Sequence, residues 1–65
     1  MNLGERLKKA RVANGITQKQ FAEMMYVDPS LVCRWENMER RISAEELIEI
    51  LEILEMSLDE FKNMC

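Results

Sequence analysis

Residues 15–36 read GITQKQFAEMMYVDPSLVCRWE, and this stretch decides the fold. Thr17-Gln18-Lys19-Gln20 has the form of a capping box, in which a threonine hydroxyl takes the amide three residues on and a glutamine reaches back. A helix is expected to start there. Phe21, Ala22 and Met25 follow at helical spacing as its apolar stripe. Val27-Asp28-Pro29 then supplies an N-cap aspartate with proline at the first helical position, where its missing amide costs nothing. A second helix is expected from Pro29, burying Leu31, Val32 and Trp35 and turning Ser30, Cys33 and Arg34 outward. Two short helices joined by a turn of about three residues present the second one outward, although helical hairpins also serve as plain packing units.

The flanking sequence is helical too. Leu3, Leu7 and Ala10 recur at helical spacing, and Asn14-Gly15 offers residues that tolerate the left-handed conformation at a helix end, so a first helix is expected over 3–13. Asn37 to Arg41 is a polar connection. Ser43-Ala44-Glu45-Glu46 is a second capping box, opening a helix over 44–55 with Leu47, Ile50, Leu51 and Leu54 on one face. Ile48 and Ile53 flank that face, and Glu45, Glu49 and Glu52 lie opposite. Ser57-Leu58-Asp59-Glu60 is a third box, starting a short last helix with Leu58 and Phe61 expected inward. Five helices and an all-α fold result, with neither repeats nor low-complexity tracts.

Composition bounds the rest. The chain has 65 residues, room for one domain over 1–65, and is 48% hydrophobic and 32% charged with two glycines and one proline. That is too apolar for disorder and too poor in turn formers for an all-β fold. No stretch approaches the roughly 20 apolar residues of a membrane helix, and no apolar segment follows the N-terminal charges as in a signal peptide. A cytoplasmic protein without membrane contact is expected. Cys33 and Cys65 lie far apart and the chain has no histidine, so neither a zinc site nor a redox pair is suggested. With no histidine base, no glycine-rich phosphate loop and no metal cluster, an enzyme is not expected, and neither is a cofactor.

The net charge of -3 conceals an asymmetry. Residues 1–41 carry eight Lys/Arg against five acids, a net +3, whereas residues 42–65 carry Lys62 against seven acids, a net -6. One face turned to a nucleic acid and another turned away accounts for this, as do two solvated faces. An outward helix fits the DNA major groove, where its N-terminal side chains read base edges while helix N-termini and nearby cations hold phosphates.

From Leu3 to Phe61 the sequence resembles the Cro and phage-repressor type of helix-turn-helix domains, often called XRE-like. The resemblance rests on Leu7, Arg11, Gly15-Ile16-Thr17-Gln18, Phe21-Ala22, Trp35-Glu36 and Met56-Ser57-Leu58-Asp59-Glu60. It implies a compact five-helix, lambda-repressor-like domain whose second and third helices form the motif, and a regulator of transcription, expected to be a repressor, that binds double-stranded DNA. Gln18 matches a glutamine that bonds a phosphate, and Ala22 matches the small residue that lets the paired helices approach. Pro29, Ser30, Cys33 and Arg34 match the outward positions of the recognition helix.

Arg34 can donate two bonds to guanine or clamp a phosphate; Ser30 can bond either, and Pro29 can touch a thymine methyl. Cys33 reads as a small side chain that fits a crowded groove. Asn37, Arg40 and Arg41 match the loop that meets the DNA backbone, where two arginines add salt-sensitive affinity, or are ordinary solvated charges. Arg11 and Glu36 match a structural salt bridge.

The chain departs from the family pattern at four places. Tyr26, Met38 and Glu55 stand where glycine is frequent and Ile42 where proline is, which bears on turn geometry more than on the fold. Such regulators usually pair on inverted half-sites about one helical turn, roughly 34 Å, apart, so a homodimer is expected. Ile53, Leu58, Met64 and Cys65 are the residues available for it, unless they close the monomer's own core. The alternative is a protein-interaction module, such as an antitoxin-like subunit that docks the acidic helix 44–55 on a basic partner.

Overall fold

The computed structural model describes residues 1–64. Its helices are α1 (Leu3–Ala13), α2 (Gln18–Met25), α3 (Pro29–Glu36), α4 (Ala44–Leu54) and α5 (Leu58–Lys62), with no strand among the described residues. The chain is all-α, folded into a body of 27 × 21 × 20 Å.

Helix starts follow from local chemistry. At α2, α4 and α5 the hydroxyls of Thr17, Ser43 and Ser57 accept the amides of Gln20, Glu46 and Glu60, and those side chains accept the cap amides in return. Each pair satisfies two donors that a helix end would otherwise leave orphaned. A fourth box at α1 was not expected from the sequence: the Asn2 side chain accepts the Glu5 amide at 2.8 Å, and Glu5 accepts the Asn2 amide at 3.4 Å. At α3 the Asp28 carboxylate caps the Ser30 amide at 2.9 Å, and Pro29 takes the first turn.

Helix ends follow from backbone conformation. Gly15, Tyr26, Met38 and Glu55 all have positive φ, so the three residues that replace the frequent glycine keep its left-handed geometry. Glu55 leaves the helix that was expected to include it, ending α4 at Leu54. There the Met56 amide bonds the Leu51 carbonyl at 3.1 Å and the turn closes as a left-handed cap.

Leu7, Phe21, Val32, Trp35, Ile50 and Phe61 are fully buried and bring all five helices into one core. Val32 and Trp35 anchor α3, while Leu31 packs against the core from its edge. Leu58 is not inward as expected but half-exposed, whereas Phe61 is buried. Side chains lean toward the N-terminus of their helix, so the first residue of a five-residue helix projects past its end instead of beneath it. Leu3 likewise sits at the start of α1 and is exposed.

Gly4 sets how α1 meets α3. A Cβ built there would lie 2.5 Å from the carbonyl oxygens of both Trp35 and Glu36, so the backbones touch at a place only glycine fits.

Candidate nucleic-acid interface

Helices α2 and α3 form the most extensive pairing in the fold. Fully buried Ala22 lets them approach, and the turn between them is closed by the Val27 amide on the Ala22 carbonyl at 3.0 Å. With Val32 and Trp35 in the core, the opposite side of α3 faces solvent. Pro29, Ser30 and Arg34 are exposed there, and Cys33 is half-buried beside them. They form an uncovered ridge one helix wide. The Asp28 carboxyl at its leading end is held below the usual carboxylate range, chiefly by the Ser30 backbone amide, then by the Ser30 hydroxyl, with the Arg34 charge contributing.

The trailing end of the ridge is tied to its surroundings. Asn37 caps α3 and its side-chain amide donates to the Cys33 sulfur at 3.5 Å. The amides of Glu39 and Arg40 both bond the Arg34 carbonyl, at 2.9 and 3.3 Å, which folds the loop back on the helix. Arg40 and Arg41 are exposed on that loop. With Leu3, Met38 and Ile42 they line a shallow groove beside α1, where the Met38 sulfur accepts the Gly4 amide at 3.2 Å.

A buried ion pair joins α1 to α3. The Arg11 guanidinium donates from Nε to Glu36 at 2.6 Å and from Nη2 at 3.1 Å, and from Nη1 to the Ile16 carbonyl at 2.7 Å. This is the salt bridge implied by the family resemblance. Two parallel donors to one carboxylate constrain orientation as well as distance. Breaking such a pair strands a buried charge, so its role is to hold α1, the 14–17 connection and α3 in one arrangement.

Gln18 belongs to the same network, because its Nε2 donates to Glu36 at 2.9 Å across 18 positions of sequence. The phosphate-facing glutamine of the sequence reading is therefore partly engaged by the protein. Its carboxamide nitrogen carries two hydrogens, so one remains for an external acceptor. Lys19 beside it is exposed and was overlooked in sequence. Its signal is a cation in the first turn of a helix, where the dipole disfavours positive charge unless an anion sits opposite.

Pro29, Ser30, Cys33, Arg34, Asn37, Arg40 and Arg41 thus lie along one helix and its following loop, with Gln18 linked to the far end of that helix through Glu36. The residues expected at a dimer contact are divided. Leu58 is exposed, Ile53 and Met64 are half-buried against the core, and Cys65 lies outside the described residues. Among the described residues there is no group of ligands able to hold a metal ion, and no helix is long and apolar enough to cross a membrane.

A helix-turn-helix family model matches residues 7–61, from the core leucine of α1 to the core phenylalanine of α5, and so includes the α2–α3 pair. No curated protein matches the chain.

Proposed function

This chain belongs to the XRE-type helix-turn-helix family, the Cro and phage-repressor kind, and from that premise we propose that it is a sequence-specific repressor of transcription. It reads the major groove of double-stranded DNA with α3 and binds inverted half-sites as a homodimer in the cytoplasm. The observation that carries this reading is the ridge of α3: Pro29, Ser30 and Arg34 lie uncovered along a helix that Val32 and Trp35 lock to the core. A rigid helix with its polar side free is what a groove about 12 Å wide admits.

In this reading Arg34 supplies base discrimination and Ser30 bonds a base or phosphate. Gln18, Asn37, Arg40 and Arg41 position the domain on the sugar-phosphate backbone. The acidic face of α4, with Glu45, Glu49 and Glu52 exposed, is held off the duplex. Exposed Leu58, with Ile53, Met64 and Cys65, serves the contact between subunits. No catalytic step and no cofactor enters.

The test is a titration of fluorescent duplexes, selected from a randomised pool, at several salt concentrations. Sequence-selective binding with a steep salt dependence is expected. Arg34→Ala should lose about 1–3 kcal/mol of discrimination at one base pair. Arg40→Ala with Arg41→Ala should weaken all duplexes alike and reduce the salt slope by about 0.9 per lost phosphate contact. Capture of a basic protein without selective DNA binding would point instead to the interaction-module reading.

A further inference from the structure

Three residues with side chains hold the left-handed conformation, and two of them, Tyr26 and Glu55, are exposed with no side-chain hydrogen bond to the described residues. Met38 brings its sulfur to the Gly4 amide. Tyr26, at φ 59° and ψ 41°, is 96% exposed, the largest exposure among the bulky apolar and aromatic side chains. An L-residue there is under strain from its own Cβ, and the ring covers no part of the fold to offset it. Strain retained without internal return directs attention to what the side chain meets outside.

The position of Tyr26 says what that is. Val27 follows it, Asp28 caps α3 and Pro29 begins the helix. At 3.8 Å per residue, the Tyr26 Cα lies within about 11 Å of the Pro29 Cα. A major groove about 12 Å wide is bounded by a phosphate strand on each side. In the docking proposed above α2 crosses the DNA backbone and the leading end of α3 enters the groove, so the 26–28 segment that joins them lies beside the strand bounding it. We infer that Tyr26 donates its phenolic O–H to a backbone phosphate of the strand crossed there, as an uncharged anchor beside the leading end of α3.

The contact rests on the DNA reading proposed above and adds a binding residue to it. A phenol is a competent phosphate donor. It also supplies attraction where the Asp28 carboxylate, exposed at the same end of the helix, repels the strand. Because the donor is neutral it displaces no counterion, which separates its signature from that of Arg40 and Arg41.

The experiment uses the full chain and a duplex selected from a randomised pool by the parent protein. Fluorescence anisotropy across a salt series is run for the parent, Tyr26→Phe and Tyr26→Gly, with a thermal melt of each. Tyr26→Phe should bind about 3- to 10-fold more weakly at every salt concentration, the loss of one hydrogen bond, with the slope unchanged. The loss should be equal on a duplex with a mutated site, since a phosphate carries no sequence. Tyr26→Gly should melt higher than the parent and yet bind more weakly, opposite signs that a purely structural tyrosine would not give. Tyr26→Phe binding as tightly as the parent overturns the inference while leaving the DNA reading intact. A parent that selects no duplex overturns both.

Discussion

Replacing Gly4 by alanine tests the packing that aims α3. On the exposed surface of a helix this change stabilises by about 1 kcal/mol, because glycine is the weaker helix former. Here the new Cβ would sit 2.5 Å from the carbonyl oxygens of Trp35 and Glu36 and 2.9 Å from the carbonyl carbon of Glu36. Ordinary carbon-to-oxygen contact begins near 3.3 Å, so α1 must withdraw from α3 by roughly 0.8 Å. The obstacles are backbone atoms at the end of a helix, which cannot swing aside as a long side chain would. Overpacking of this kind costs about 1–3 kcal/mol, and with two carbonyls in the way the upper value applies. After the propensity gain, the net loss is about 2 kcal/mol, or roughly 8–16 °C in Tm for a domain of this size.

The Gly4 amide would also draw away from the Met38 sulfur, now 3.2 Å distant, and loosen the loop that carries Arg40 and Arg41. Thermal denaturation followed by far-UV circular dichroism reads the stability, and the salt series of duplex binding reads the loop. The sign alone is decisive: a Gly4→Ala protein that melts at or above the parent temperature means that α1 and α3 do not meet as described.

Arg11→Met leaves Glu36 buried without its cation and should cost about 3–5 kcal/mol in urea denaturation. Combining it with Glu36→Leu should recover much of that loss, and a double variant no more stable than the single one would contradict the pairing as the cause. Asp28 has a depressed carboxyl in the folded protein, so it contributes stability that is present above its ordinary value of 3.8 and is lost as pH falls through the lower folded value. Asp28→Asn keeps an acceptor for the cap without titrating; the urea midpoints of variant and parent should therefore converge in acid, and a gap that widens there would reverse the assignment. Glu55→Gly relieves a left-handed residue at φ 55° on the exposed end of α4 and should raise stability by about 1 kcal/mol. A lower Tm would show that the Glu55 side chain has a role the strain argument omits.

The helices of this protein are written locally. A capping box spans three positions, an apolar stripe repeats every three or four, and proline after aspartate marks a first turn wherever it falls. Thr17, Ser43, Ser57 and Asp28 therefore announced their helix starts, and the ridge residues followed from the phase of Val32 and Trp35. At Asn2 and Glu5 an asparagine takes the place of the serine or threonine of the box, so the local pattern is weaker in sequence although the same two bonds form. The family resemblance supplied the Arg11–Glu36 pair, which periodicity alone does not contain.

What only tertiary structure decided lies in contacts between residues remote in sequence. Gly4 meets the carbonyls of Trp35 and Glu36, Met38 returns to the Gly4 amide, and Gln18 turns part of its carboxamide to Glu36. Each depends on the angle and distance at which two helices pack, which the summed volume of the core sets and no short window encodes. The outward tilt of Leu58 has the same origin: the period says which residues share a face, whereas the position of a helix end relative to the core says whether that face is covered.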